Sequence, residues 1–107
     1  MKYAELRKKH TILALIPKGE ENAITRAELK QYGHDSNNRE RIRLARRDGA
    51  LIIPSEKGGY FRPKKSDKNA VIRYIRMELH REKEQHKSNK ALLKAFREMY
   101  GDVKWDG

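Results

Sequence analysis

Hydrophobic residues gather into short clusters separated by Gly, Pro, Asn and Ser, and the spacing within each cluster predicts its element. From Tyr3 to Ile16, Leu6, Leu13 and Ile16 recur at helical spacing, with Ile12 and Leu15 widening the stripe, which predicts an amphipathic helix. Pro17-Lys18-Gly19 stops it, because proline cannot donate the next backbone hydrogen bond and biases Ile16 away from helical dihedrals. Ala23-Ile24 reads as a very short strand. Thr25-Arg26-Ala27-Glu28 has the pattern of a capping box and starts a second helix, which Gly33 closes after Tyr32. The turn and cap residues His34-Asp35-Ser36-Asn37 precede a third helix that runs from Arg39 to Asp48 and ends at Gly49. Ala50 to Ile53 and Tyr60 to Arg62 are β-prone and flank Pro54 to Gly59, which predicts a hairpin bounded by Pro54 and Pro63. Asp67 is placed to cap a fourth helix with Val71, Ile72, Ile75 and Leu79 on one face. Ser88 is placed to cap a fifth, carrying Leu92, Leu93, Phe96, Met99 and Tyr100 up to Gly101, with a frayed tail to Gly107. No internal repeat is present.

Length and charge narrow this picture. A chain of 107 residues supports one small core with an appendage and excludes a barrel enzyme or a doubly wound nucleotide fold. With 26 Lys and Arg against 15 Asp and Glu the net charge is +11, which favours polyanionic partners, nucleic acid first. The excess is local: residues 36 to 66 carry 9 basic and 3 acidic side chains, whereas residues 1 to 35 carry 7 and 5 and residues 67 to 107 carry 10 and 7. The longest aliphatic run, Ile12 to Ile16, is far short of the roughly 20 residues that cross a bilayer, and the start lacks a long apolar stretch, so a cytoplasmic protein without a membrane partner is expected. With no cysteine, disulfides, thiolate chemistry and cysteine-ligated zinc are ruled out.

The order helix, short strand, helix, tight turn, helix, hairpin is the plan of a winged helix-turn-helix, mainly α with a small β-hairpin. The stretches Ala23 to Leu29, Ala45 to Ile52 and Gly59 to Pro63 together resemble small winged-helix proteins of phages and prophages, and more distantly the DNA-binding domain of the biotin repressor. The resemblance covers about residues 10 to 65 and not the C-terminal helices, so the chain is expected to divide into a winged domain over residues 1 to 66 and a helical extension over residues 67 to 107. It also implies apolar residues four, seven and eleven positions before Gly49. Ala45 and Ile42 fit, Asn38 departs, and the turn between the second and third helices is one residue short.

In such a domain the third helix enters the major groove and the hairpin touches the backbone or the minor groove. At ~100° per residue, Ser36, Arg39, Glu40, Arg43 and Arg47 lie away from Ile42 and Ala45. The candidates for reading bases are Ser36, Asn37, Arg39 and Arg43, because the planar guanidinium can donate two hydrogen bonds to guanine and an amide can pair with adenine. Asn37 suits a helix cap better than a base contact, and each arginine could instead pair with an acid one helical turn away, Arg43 with Glu40 or Arg46 or Arg47 with Asp48. The candidates for phosphate are Arg41, Arg46 and Arg47 on the helix, with Lys57, Arg62, Lys64 and Lys65 on the hairpin, whose two glycines permit close backbone approach. Tyr60 and Phe61 serve either core packing or base stacking. Leu44 falls off the core face.

Catalysis finds no support. His34-Asp35-Ser36 holds triad residue types, but adjacent residues cannot converge as a triad does. His80, Glu84 and His86 lack metal-ligand spacing, so neither a metal nor another cofactor is expected. Val71, Ile72, Ile75, Leu79, Leu92, Phe96 and Met99 are candidates for self-association into a homodimer that would join two DNA half-sites; the alternative is that both helices fold back on their own chain. The expectation is therefore a double-stranded DNA-binding protein, a transcriptional regulator or replication accessory. The competing one is an interaction module for an acidic protein or RNA, such as a phage-encoded inhibitor of a host system.

Overall fold

The computed structural model describes residues 2–80 and 86–101. It is mainly helical with one small two-stranded antiparallel sheet. Helix α1 is Tyr3–Lys9, α2 Arg26–Leu29, α3 Asp35–Arg47, α4 Lys68–Leu79 and α5 His86–Tyr100, and the sheet pairs β1, Ile53–Pro54, with β2, Tyr60–Phe61. No helix among the described residues is long and apolar enough to cross a membrane.

The predicted first helix is broken. It ends at Lys9, His10 adopts φ −119° and ψ 87°, and Thr11–Ala14 continue as a 3-10 turn. The break lets His10 Nε2 reach 2.6 Å from Asp48 Oδ2, while Leu6, Ile12, Leu13 and Ile16 all remain buried. The stripe thus marked the burial correctly and the helix length wrongly, because a 3-10 turn also brings residues 12 and 13 inward and the bend after it buries Ile16.

The capping box is present as expected: the Glu28 N–H donates to the Thr25 hydroxyl and the Thr25 N–H to the Glu28 carboxylate, both at 3.1 Å. Helix α2 is only one turn long and passes into a 3-10 turn at Lys30–Tyr32. Helix α3 starts at Asp35, earlier than the sequence suggested, so Asn37 lies inside its first turn and caps nothing. Asp35 there is favourably placed against the positive end of the helix dipole. At the other end the Gly49 N–H donates to the Arg46 carbonyl and the Ala50 N–H to the Ala45 carbonyl, both at 3.0 Å, a Schellman closure that requires the positive φ of 105° found at Gly49.

The hairpin is shorter than predicted. Ile53 faces Phe61 and Pro54 faces Tyr60, so Pro54 belongs to the strand it was expected to limit. The Ala23-Ile24 strand reduces to a single antiparallel bridge, with Ile24 and Tyr60 exchanging hydrogen bonds of 2.9 and 2.8 Å. That bridge brings chain against chain: a Cβ on Gly59 would stand 2.0 Å from the Ile24 carbonyl oxygen, so only glycine fits.

Two clusters form the core. Leu6, Ile12, Leu13, Ile16, Leu29, Ile42, Ala45, Ala50 and Ile52 make the first; Ile53, Phe61, Val71, Tyr74, Ile75, Leu92 and Phe96 make the second. Fully burying one such side chain contributes roughly 1.5–3 kcal/mol. The second cluster draws the hairpin together with α4 and α5, so it takes residues from both sides of the boundary expected at residue 66. The dimer candidates are corrected accordingly. Val71, Ile75, Leu92 and Phe96 are buried within their own chain, Ile72 and Met99 are half-buried, and Leu79 alone of the set is exposed. Their periodicity is explained by folding back. Asp67 precedes α4 but accepts from the Lys64 N–H at 2.9 Å instead of capping the helix, and α5 begins at His86, two residues before the expected cap Ser88. Gly101 closes α5 with φ 85°, as predicted.

Candidate nucleic-acid interface

The rotation of α3 is fixed from its inner side. Ile42 and Ala45 enter the first cluster, and Asn38, one turn before Ile42, is buried with them. Its amide Nδ2 donates to the carbonyls of Leu29 and Gly33, each at 3.0 Å, and so ties the end of α2 and the following turn to α3. A buried amide at a helix position where an apolar residue is expected is therefore a lock on the turn. Gly33, with φ 153°, brings its backbone close to this amide: a Cβ there would lie 3.2 Å from Asn38 Oδ1.

With that side buried, Ser36, Asn37, Arg39, Glu40, Arg43 and Arg47 are all exposed along α3. Charges on this face are paired locally. Arg26 donates to Asp35 at 3.1 and 2.5 Å, Arg39 Nε stands 3.2 Å from the same carboxylate, and Arg43 donates to Glu40 at 2.9 and 2.6 Å. The hydrogen bond from Arg26 holds the Asp35 carboxyl below its ordinary range, and that from Arg43 does the same for Glu40. Exposed pairs of this kind contribute only about 0.2–1 kcal/mol each, so an arriving ligand can exchange them at small cost.

The phosphate candidates divide sharply. Arg47 is exposed on α3 and Lys57 at the hairpin tip. The others are engaged inside the chain. Arg46 Nε donates to the Ile52 carbonyl at 2.8 Å, and its guanidinium carbon lies 5.7 Å from the Tyr60 ring and 5.3 Å from the Tyr74 ring. It thereby joins α3 to the hairpin and α4. Arg62 Nε donates to the Ile16 carbonyl at 2.9 Å and its guanidinium covers the Tyr3 ring at 4.7 Å. Lys64 pairs with Glu21, Lys65 donates to the Met99 carbonyl at 2.9 Å near the end of α5, and Arg41 donates to the Thr11 hydroxyl at 3.1 Å. The assignment of Arg46 and Arg62 to phosphate is thus replaced by structural duty to carbonyl groups, while Lys65 stays exposed beside its carbonyl contact. Helical phase carried a signal for Arg46, which follows Ile42 by one turn and so falls beside the buried side of α3.

Of the two hairpin glycines, Gly58 faces open space, whereas Gly59 is covered by the chain's own Ile24 and Thr25. Phe61 is fully buried and Tyr60 half-buried, which assigns Phe61 to packing. Leu44 is exposed, as its phase predicted. His10, which had no readable role, joins Lys9 in holding Asp48 at the end of α3, with Lys9 Nζ 2.9 Å from the carboxylate. These two contacts, His10 first, keep the Asp48 carboxyl below its ordinary value. The partners are 38 residues apart in sequence, so no local pattern announced them.

Among the described residues no group of three or more His, Asp or Glu side chains could hold a metal ion. Of the hydrogen-bonding and charged groups in His34-Asp35-Ser36, Asp35 is committed to arginines. Glu84 and the His86 side chain lie outside the described residues. A cavity of about 450 Å³ between α1, α5 and the segments after α3 and β2 is lined largely by Leu6, Leu13, Leu51, Pro63 and Met99, with Arg62 at its wall. No family model, curated protein or solved structure matches this chain.

Proposed function

We propose that the first 66 residues act as a winged helix-turn-helix and that the protein binds double-stranded DNA in a sequence-dependent way, with α3 in the major groove and the Ser55 to Gly59 hairpin tip against the backbone. The observation that carries this reading is the outer face of α3. A helix locked in rotation by Asn38, Ile42 and Ala45 presents arginine forks at Arg39 and Arg43, a hydroxyl at Ser36 and an acceptor at Glu40, all exposed. Base edges in the major groove offer both donors and acceptors, and a face of mixed groups discriminates among them where a uniformly positive one would hold any duplex. Arg43 released from Glu40 can fork onto guanine, and Glu40 can accept from cytosine. Lys57 adds phosphate affinity without sequence preference.

The net charge of +11 supplies long-range attraction to the duplex. The resemblance of Ala23 to Leu29, Ala45 to Ile52 and Gly59 to Pro63 to phage and prophage winged-helix proteins supports a role as a transcriptional regulator or replication accessory. Selection of bound sequences from a random duplex pool tests the proposal. A recovered consensus is expected. Salt-sensitive binding without enrichment would contradict sequence reading and move the function to nonspecific binding or to an acidic protein partner.

A further inference from the structure

The C-terminal helices cover the core with one side, and the outer side of α5 is basic. Lys90 and Lys94 are exposed and stand one turn apart, about 6 Å along the axis. Arg47, the last residue of the exposed line through Ser36, Glu40 and Arg43 on α3, shares a cleft of about 290 Å³ with Lys94. The remaining lining explains why they meet. Gly49, Ala91 and Ala95 are small and let α5 approach the end of α3 closely, with Asp48 and Glu98 as the acids nearby. Asp48 is already engaged by Lys9 and His10. Among the described residues no ion pair holds Arg47, Lys90 or Lys94.

We infer that Lys90 and Lys94 of α5 continue the α3 face past Arg47 and contact the phosphate backbone of the same DNA, flanking the bases that α3 reads. Like charges one turn apart on a helix oppose each other, and a polyanion lying across them turns that opposition into attraction. Lysine suits this task. Its ammonium is a point charge on a flexible stem that follows phosphate without demanding the planar geometry of a base edge. The C-terminal extension would then both complete the second core cluster and lengthen the DNA footprint. This inference rests on the DNA-binding reading above.

The test compares the full chain with the double variant Lys90→Gln and Lys94→Gln, measuring affinity for one duplex over a range of salt concentrations. Two phosphate contacts fewer should lower the slope of log affinity against log salt by about 1.8, roughly 0.9 for each phosphate. Affinity should fall alike for specific and random sequences. The charge-preserving pair Lys90→Arg and Lys94→Arg should restore the slope, which separates loss of charge from any disturbance of α5. An unchanged slope in a glutamine variant that melts as the parent does would overturn the inference while leaving the α3 reading intact. Absence of salt-dependent binding by the parent chain would overturn both.

Discussion

The outer face of α3 and the flank of the hairpin are both basic, but they use the charge in opposite ways. On α3, Arg39 and Arg43 point to solvent and touch only neighbouring carboxylates. Around the hairpin, Arg46 and Arg62 turn inward to the carbonyls of Ile52 and Ile16. A carbonyl that the fold leaves without a backbone donor is a fixed obligation, whereas an exposed carboxylate is a replaceable one. Positive charge alone therefore does not define a binding surface; the partner each cation would have to give up does.

The strongest way to break this contrast is to remove an inward cation. Arg46→Ala should destabilise the fold by about 2–3 kcal/mol, since it loses a charge-assisted hydrogen bond to a half-buried carbonyl and two ring contacts. Urea unfolding measures it, and a loss below about 0.5 kcal/mol would return Arg46 to the surface set. Next in size, Asn38→Ala should cost about 2 kcal/mol by stripping both turn carbonyls of their donor. It should also loosen α2 against α3, seen as faster amide exchange in α2. By contrast Arg39→Ala and Arg43→Ala should change stability by no more than about 0.5 kcal/mol.

Much of this division was legible. The capping box at Thr25 and Glu28, the glycine closure at Gly49 and the inward phase of Ile42 and Ala45 all depend on residues within a turn of each other, and local patterns report local geometry. The outward face of α3 followed from the same phase. Arg46 has the charge of a phosphate ligand, but its phase, one turn after Ile42, sets it beside the buried side of α3. The contacts of Arg62 with Ile16, of Lys65 with Met99 and of His10 with Asp48 span 46, 34 and 38 residues, and nothing in a local window specifies such meetings. The break at His10 belongs with them, since the helix ends where the long-range partner takes the side chain.

The smallest expected effect concerns acid. The Asp48 carboxyl titrates below its ordinary value in the folded chain because His10 and Lys9 favour its charged form. Its contribution to stability is therefore complete above the unfolded range near pH 4 and is lost as pH falls through the lower folded value. Asp48→Asn should lower stability slightly at pH 7 and flatten the decline on acidification. Urea midpoints at pH 7 and pH 3 check both signs, and a variant whose midpoint falls as steeply as the parent's would remove Asp48 from this role.

The central claim is that the outward arginines of α3 read bases. Competition between a selected site and random duplex at fixed salt, measured for Arg43→Ala against the parent chain, tests it most directly. The account predicts that affinity for the selected site falls by roughly 5- to 150-fold, the equivalent of about 1–3 kcal/mol, while affinity for random duplex changes little. Equal loss on both duplexes would contradict it and assign Arg43 to phosphate.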